Sequence, residues 1–515
     1  MGRNQYIIFL FFVSLALSQS QYVPLRHPVY TVLDYIVTSN SGLFDHYQKP
    51  YTRREVQMIL SRADRGGLPS PQAVLVRRYL NEFSDLDRHL VRLERNQSAF
   101  FGDIQFGGIA RGTSSLQPFY KVDIGGNIRG HIGPSLSYQT DLMTFVYLGN
   151  LDLKTGYGID PSLAPIKAHD FQTTIAGDAS ESQVMLGTGW GWISFGSDKP
   201  RWGPAASGHL LLDIQDFSLP DVHVTANFGP FRYIKLYGTL DKLYPYRTAG
   251  GGKEFLAANR TYVAHRLDVL LFNRLNFGVS EAIVYNRNLE LVYLNPLVPF
   301  VMSEVQAGDA DNNLAAIDFS GQIFPHSRTY LELMVDDMDF RQDWFKDYVN
   351  KWTLLVGHQW ADPLGIKNTL LTVETVRVEP YVYTHRDTAN HYELYGQSLG
   401  YDLEPNSLRF MVRGDWFQRY NLWHHFFLTR TLHGDGDRIF GNPPSTRIQK
   451  QFLQPPYETR TVMTWTVRYE FFENMWFSLA ATRESVDREK VDNTVDQYQS
   501  GYTRYSLVSS LSVNY

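Results

Sequence analysis

Residues 460–471 read Arg460-Thr461-Val462-Met463-Thr464-Trp465-Thr466-Val467-Arg468-Tyr469-Glu470-Phe471. Thr461, Met463, Trp465, Val467, Tyr469 and Phe471 fall on one alternating set. Arg460, Thr464, Thr466, Arg468 and Glu470 fall on the other, with Val462 the one apolar exception. Successive side chains of a strand point to opposite faces, so this period of two predicts a strand with one apolar and one polar face. Arg409 to Phe417 repeats the pattern, with Phe410, Val412, Gly414 and Trp416 opposing Arg409, Arg413 and Asp415. Tyr330 to Asp336 sets Leu331, Leu333 and Val335 against Glu332 and Asp336. In a soluble sandwich the apolar face turns inward. In a membrane barrel it turns to lipid, and the polar face lines the lumen. Alternation alone leaves both open.

Connection lengths separate them. Short turns at Gly229–Pro230, Asn273–Arg274, Pro325–His326, Asp362–Gly365, Gln418–Asn421 and Phe472–Asn474 alternate with long loops near 196–220, 241–259, 287–312, 337–349, 386–406, 432–458 and 487–500. Outer-membrane barrels have that asymmetry, with short periplasmic turns and long external loops. Long structureless loops are uncommon in compact soluble domains. Placing turns and loops alternately predicts nine upward and nine downward strands. Among them are upward strands near 183–195 and 368–385 and a downward strand near 166–178. Eighteen is even, as a single-chain barrel requires, and both barrel ends then lie on the periplasmic side.

Composition agrees. Of 515 residues 14% are aromatic, including 32 Tyr, 32 Phe and 10 Trp, which suits interfacial girdles. Mean hydropathy is −0.29, and no stretch past residue 18 has the apolar length of a membrane helix. A net charge of −5 gives no sign of a nucleic-acid partner. The absence of cysteine excludes disulfides, thiolate metal sites and a lipidated N-terminal Cys.

Residues 1–18 read as a signal peptide. Arg3 is the positive end, Tyr6 to Leu17 the apolar run, and Ala16 with Ser18 the small-x-small cleavage pattern. Residues 19–97 read as a small helical bundle standing in water on the periplasmic side. Thr52 and Glu55 form a capping box ahead of Val56, Ile59 and Leu60. Ser70-Pro71 opens a helix whose Val74, Leu75, Tyr79, Leu80, Phe83 and Leu86 recur at helical spacing, and His27 to Val37 is a third helical segment. Residues 98–515 are the barrel. Its last strand alternates Tyr505, Leu507, Leu511, Val513 and Tyr515 against polar residues, ending on an aromatic as outer-membrane barrels do.

These features resemble the Wzi-type capsule assembly family of Gram-negative outer membranes. The matching stretches begin with Pro24-Leu25-Arg26-His27-Pro28-Val29-Tyr30, Leu33-Asp34-Tyr35 and Pro50-Tyr51-Thr52-Arg53-Arg54-Glu55-Val56. The most specific is Phe195-Gly196-Ser197-Asp198-Lys199-Pro200-Arg201-Trp202-Gly203-Pro204, followed by Gly208-His209-Leu210-Leu211-Leu212. Gly229-Pro230-Phe231-Arg232-Tyr233, Ala264-His265-Arg266-Leu267, Ser280 to Tyr285, Leu294-Asn295-Pro296-Leu297 and Asp311-Asn312-Asn313-Leu314 continue in order. Leu399-Gly400 with Leu403 and Pro405 matches loosely, because Glu404 stands where the family tends to have a second Gly. The resemblance spans nearly the whole chain after the signal. It implies an eighteen-stranded barrel with a periplasmic helical bundle and a lectin-like role in holding capsular polysaccharide at the cell surface. It implies no cofactor and no catalysis. The alternative reading of the barrel is a porin or substrate-specific channel.

The candidate site residues follow. Arg201, Trp202 and Pro204 fall in the external loop between the fifth and sixth strands. There a Trp face stacks on a pyranose and Arg grips a uronate, or the same residues pin the loop into the lumen as a plug. Arg266, Asp268, Glu332, Asp336, Arg409, Arg413, Asp415, Arg468 and Glu470 are expected to line the lumen. Their mixed signs suit cross-wall ion pairing better than selectivity for one charge. Asp336 and Asp337 are adjacent on a strand, so they point to opposite faces and do not make a glycosidase pair. Asp309, Asp311, Asn312 and Asn313, and Asp435 with Asp437, lack the full spacing of a calcium loop. His424–His425 places one ring on each face, which disfavours a metal site. There is no G-x-S-x-G elbow. The expected partners are surface polysaccharide and outer-membrane lipid around a monomer. The helical head either binds a periplasmic export component or blocks the lower mouth of the barrel.

Overall fold

The computed structural model describes residues 21–514 apart from 41, 44–45, 67–69, 86–88, 115–117, 150–168, 171–173, 216, 242, 248–252, 258, 297, 309–310, 435–449, 454–457 and 489–500. The expected signal at 1–18, Asp309, Asp435, Asp437 and the terminal Tyr515 lie outside the described residues.

Eighteen antiparallel strands close into one barrel. They are β1 (Ser98–Thr113), β2 (Phe119–Ile132), β3 (Leu136–Gly149), β4 (Thr174–Gly187), β5 (Gly191–Asp198) and β6 (Leu219–Phe228). Then come β7 (Phe231–Thr239), β8 (Thr261–Leu271), β9 (Leu275–Tyr285), β10 (Asn312–Gly321), β11 (Ser327–Asp337) and β12 (Lys351–Ala361). The last are β13 (Thr369–Val378), β14 (Ser407–Arg419), β15 (Leu422–His433), β16 (Glu458–Phe472), β17 (Met475–Arg488) and β18 (Tyr502–Asn514). β18 pairs with β1 from Ser506–Thr113 to Asn514–Gln105, and this seam closes the sheet on itself. Closure satisfies the backbone groups that hydrocarbon cannot.

The alternation reads directly in the wall. Leu267, Val279 and Ile317 are cross-strand neighbours on β8, β9 and β10, and all three are exposed. Bare to water, such a band forfeits about 25 cal/mol for each Å² of apolar area; against acyl chains it does not. The turn side carries a ring of exposed aromatics at or beside the short connections: Trp190, Phe228, Phe272, Phe324, Tyr420 and Phe472. That is the girdle of a membrane interface. Asn273, Asp362 and Asn474 take left-handed φ there, as tight hairpin turns require.

Three strand expectations shift. The fourth and fifth strands are Thr174–Gly187 and Gly191–Asp198, not 166–178 and 183–195. The polar run Asp178 to Glu181 looks like a turn but stays in the wall, where Thr144 Oγ1 donates to Asp178 at 2.6 Å. The true turn is closed by Thr188, whose hydroxyl accepts from Gly191 N at 3.1 Å. The strand expected at 368–385 ends at Val378. Beyond it the chain turns inward through Tyr381 and Tyr383, both at positive φ.

The N-terminal head contains α1 (Val29–Ser39), α2 (Arg53–Arg65) and α3 (Ser70–Phe83). The Thr52–Glu55 capping box forms on both sides, with Glu55 N donating to Thr52 Oγ1 at 3.2 Å and Thr52 N to Glu55 Oε2 at 2.8 Å. The head does not stand free in water. Val29, Ile36, Val56, Leu60, Val76 and Tyr79 share one core with Ala361, Leu370, Phe417, Trp423 and Trp476 of the wall beside the short turns. Tyr35 donates to Asp362 at 3.0 Å, and Arg78 is paired with Glu470. The head is therefore seated in the turn-side mouth. The apolar stripes that predicted its helices need this cover.

Candidate functional site

Two long loops enter the barrel from the opposite end. Residues 199–218 leave β5 and fold into the lumen, and residues 379–406 leave β13 and meet them. Arg201, Trp202 and Pro204 belong to the first. Trp202 is 2% exposed in the central core, and Pro204 is buried. Arg201 pairs with Asp213 at 3.2 Å. Arg201–Trp202 is also the middle strand of a miniature sheet, flanked by Gln48–Lys49 of the head and Leu212–Asp213 of its own loop. Head and loop thus join inside the barrel. The loop-plug role fits this geometry, whereas a surface sugar platform would need an exposed ring.

Wall carboxylates hold the plug. Glu332 accepts from Leu210 N at 2.9 Å, Ala205 N at 3.2 Å and His209 Nδ1 at 3.0 Å. Glu374 accepts from Ala206 N at 2.7 Å, Ser207 N at 3.1 Å and the Tyr330 hydroxyl. Buried carboxylates are tolerable when backbone donors surround them. Gly203, at φ +138°, leaves the required room; a Cβ there would lie 2.3 Å from Glu332 Oε1. Burial pulls the His209 imidazole down to about 4, so it serves as a neutral donor. Gly400 has the same spatial reason, since its Cβ would lie 2.3 Å from Leu210 O. Leu399, Tyr401 and Leu403 are buried while Glu404 is exposed, so no second glycine is needed at that position.

The remaining expected charges occupy the inner wall. Arg266 pairs with Asp268 at 2.6 Å and with Asp318 of β10 at 2.6 Å, all three buried. Asp336 accepts from Tyr383 N at 2.5 Å and fixes the second loop. Arg409 pairs with Asp402 at 3.0 Å. Arg413 and His425 share Asp415 at 2.9 and 2.6 Å. Arg468 lies 5.0 Å from the Trp476 ring, and Glu470 holds Arg78. His424 stacks on Trp416 at 5.1 Å on the other face from His425. Asp311 is engaged by Arg287 and the Tyr293 hydroxyl, and Asn312 donates to Asn390 O. Among the described residues no group of three or more His, Cys, Asp or Glu could hold a metal.

The loop after β9 behaves differently. Part of it, α4 (Phe300–Ala307), folds back onto the barrel's outside. Phe300 stacks on His265 at 4.3 Å, and Glu281 accepts both Phe300 N at 2.7 Å and His265 Nε2 at 3.0 Å. Lys235 donates to Tyr293 O at 2.7 Å. Three outward polar residues are thus sealed from lipid. Sequence reading passed over them, although each breaks the apolar alternation of its strand.

An open space remains beside the plug. β4 runs eight residues past its last pair with β5, Ser182–Ser197, so the wall overtops the plug there. A cleft of about 690 Å³ lies in the step, lined by Lys121, Asp141, Phe145, Glu181, Lys199, Phe217 and Tyr395 among others. Known ligand pockets span about 300–1,000 Å³. The Lys121 ammonium lies 5.4 Å from the Phe145 ring centroid and 5.7 Å from that of Tyr147. Phe217 and Tyr395 pack edge to face at 5.0 Å, and Lys199 pairs with Glu181 at 2.9 Å. None of the cleft residues was assigned to a site from the sequence, where Arg26, Ser197 and Lys199 stand only inside matching stretches, because they meet only when β2, β3, β4 and two loops converge.

Comparison with solved structures places the architecture. The chain is similar to Wzi of Escherichia coli, described as an outer-membrane protein involved in group 1 capsule assembly and a carbohydrate-binding β-barrel. The identity is 12%, the match covers 93% of this chain and 97% of that one, and the TM-score is 0.58. The fold is that of an outer-membrane β-barrel. More distant similarities are to Acinetobacter baumannii OccAB2 and to Pseudomonas aeruginosa OpdK with vanillate, each at 9% identity, with TM-scores of 0.48 and 0.47. Each of these matches covers 80% of this chain and 98% of the other. No protein-family model and no curated protein matches the sequence.

Proposed function

We propose that this outer-membrane barrel binds capsular or other surface polysaccharide in a lectin-like manner, aiding capsule assembly or retention. The reading rests on one observation, the loop-side cleft of about 690 Å³ that combines aromatic rings with cationic and anionic side chains. Rings stack on the apolar faces of pyranoses, and ammonium groups take uronate or other acidic substituents. The plug supports a binding role, since it fills the centre of the lumen and builds one wall of the cleft. The resemblance of the chain's motifs to the Wzi-type family points the same way. In this reading the head faces the periplasm, because it occupies the mouth with the short turns.

The test is glycan binding by the purified full chain, paired with cell-bound capsule in a deletion strain. Acidic capsular oligosaccharide should bind, and Lys121→Ala combined with Phe145→Ala should weaken binding about tenfold or more, the value of ~1.4 kcal/mol. No binding together with unchanged capsule retention would refute the proposal.

A further inference from the structure

The plug leans to one side. Its apolar core takes Leu236 and Ala264 from β7 and β8, Leu314 and Leu355 from β10 and β12, and Val376 from β13. Among the described residues, none from β1 to β5 joins that core. At mid-height the inner faces of those strands are small or polar, with Gln105, Gly107, Gly125, Asn127, Gln139 and Asp141, while Phe101, Phe119, Phe145, Tyr147 and Met185 are buried nearer the two ends. The mid-height stretch has little apolar area with which to hold a plug.

Two cavities occupy this side. The first is the cleft of about 690 Å³ at the loop end. The second, about 320 Å³, reaches His27 and Glu82 of the head and extends to Asn474 and Ser512 at the turn end. Arg26 and Met143 line both, so the chambers adjoin at Arg26. The Arg26 guanidinium donates to Gln105 Oε1 at 3.1 Å and to Asp141 Oδ1 at 3.2 Å. Its side chain is nearly half exposed, at 46%. Asn127 Nδ2 donates to the same carboxylate at 2.9 Å, and Gln139 Nε2 approaches it at 3.5 Å. A single long side chain thus crosses the gap, and the carboxylate keeps other donors when it leaves. The Asp141 side chain is 7% exposed, so what makes the pair easy to open is the half-exposed Arg26 and the donors that remain on the carboxylate.

We propose that the two chambers form an off-axis path for small hydrated ions through the barrel, with the Arg26–Asp141 pair as its latch. Charged side chains recur along the path among aromatic and aliphatic ones, with Lys121 and Glu181 above the latch and Asp103, Asp123 and Arg129 below it. It requires no movement of the plug. It is independent of polysaccharide binding, so failure of the glycan test leaves it standing.

The test is ionic current through the purified full chain in a planar bilayer. The native protein should show brief openings. Arg26→Ala should lengthen them, raising the open fraction about fivefold, the equivalent of ~1 kcal/mol for a half-exposed ion pair. A second variant keeps the native latch. The chain has no cysteine, so Gln139→Cys creates a unique thiol on the wall of the lower chamber. A charged methanethiosulfonate reagent should then block the current of Gln139→Cys and leave native current unchanged. Silence from both the native chain and Arg26→Ala, with barrels shown folded by heat-modifiable electrophoresis, overturns the proposal. So does a Gln139→Cys current that the reagent does not touch.

Discussion

Replacing Glu332 by alanine should unseat the plug while leaving the barrel closed. The 3% exposed carboxylate of Glu332 takes three donors from the inward loop, at 2.9, 3.0 and 3.2 Å. Each buried donor left without a partner costs about 1–3 kcal/mol. Water entering the vacated space recovers part of that, and the Glu374 contacts to Ala206 and Ser207 survive. The low end, ~3 kcal/mol in total, corresponds to roughly a hundredfold rise in loop opening. Hydrogen exchange of the amides from Gly203 to Ile214 reads this directly, because locally opened segments exchange at the free energy of their own opening. Gly203→Ala is the companion variant, since its methyl would press on the same carboxylate from 2.3 Å. The double variant should open the loop by less than the sum of the two, as residues sharing one contact do. Unchanged exchange across the loop in Glu332→Ala, with a folded barrel, would refute the assignment of Glu332 as the main tether.

Three further outcomes are expected. Arg266→Met strands Asp268 and Asp318 without their shared cation and should cost about 3–5 kcal/mol of barrel stability, read as a lower urea midpoint in bilayers; adding Asp268→Asn and Asp318→Asn should recover most of it. Val279→Arg places a charge in the exposed apolar band and should cost about 2–4 kcal/mol if that band meets the bilayer midplane, whereas Val279→Leu should be neutral by the same assay. His209 is neutral in the plug, with its folded pKa at about 4 against 6.5 when free. The released loop therefore binds the extra proton, so plug stability is full above pH 6.5 and falls as pH drops toward 4. Loop exchange should accelerate over that window, and His209→Gln should flatten the dependence.

Much of the wall is legible in the chain itself because strand geometry is local. Arg460 to Phe471 alternates in the sequence and alternates in β16. The Thr52–Glu55 box is equally local, spanning one helical turn. The misplaced break near Asp178 marks where local reading fails: a polar run signals a turn only if no neighbouring strand accepts it, and Thr144 does. The inward charges were readable as a set, but their pairing was not. Arg266 finds Asp318 two strands away, at a sequence separation of 52. The cleft and the outward Lys235–His265–Glu281 cluster were missed for the same reason, since each needs a long loop to complete it.

What the sequence by itself determined is the closed wall: a period of two, turns that admit left-handed φ, and an even number of crossings. These follow from bond geometry and from the solvent each face meets. Which way the long loops run was decided only by tertiary structure. Loops 199–218 and 379–406 turn inward while α4 lies on the outside, and the three look alike as irregular sequence. Their direction depends on partners far along the chain. Glu332 lies more than a hundred residues from the donors it holds, and Glu281 likewise claims the start of α4 from another element. A buried carboxylate must find its donors wherever the fold brings them. Arg201 and Trp202 therefore became part of a plug rather than a surface platform.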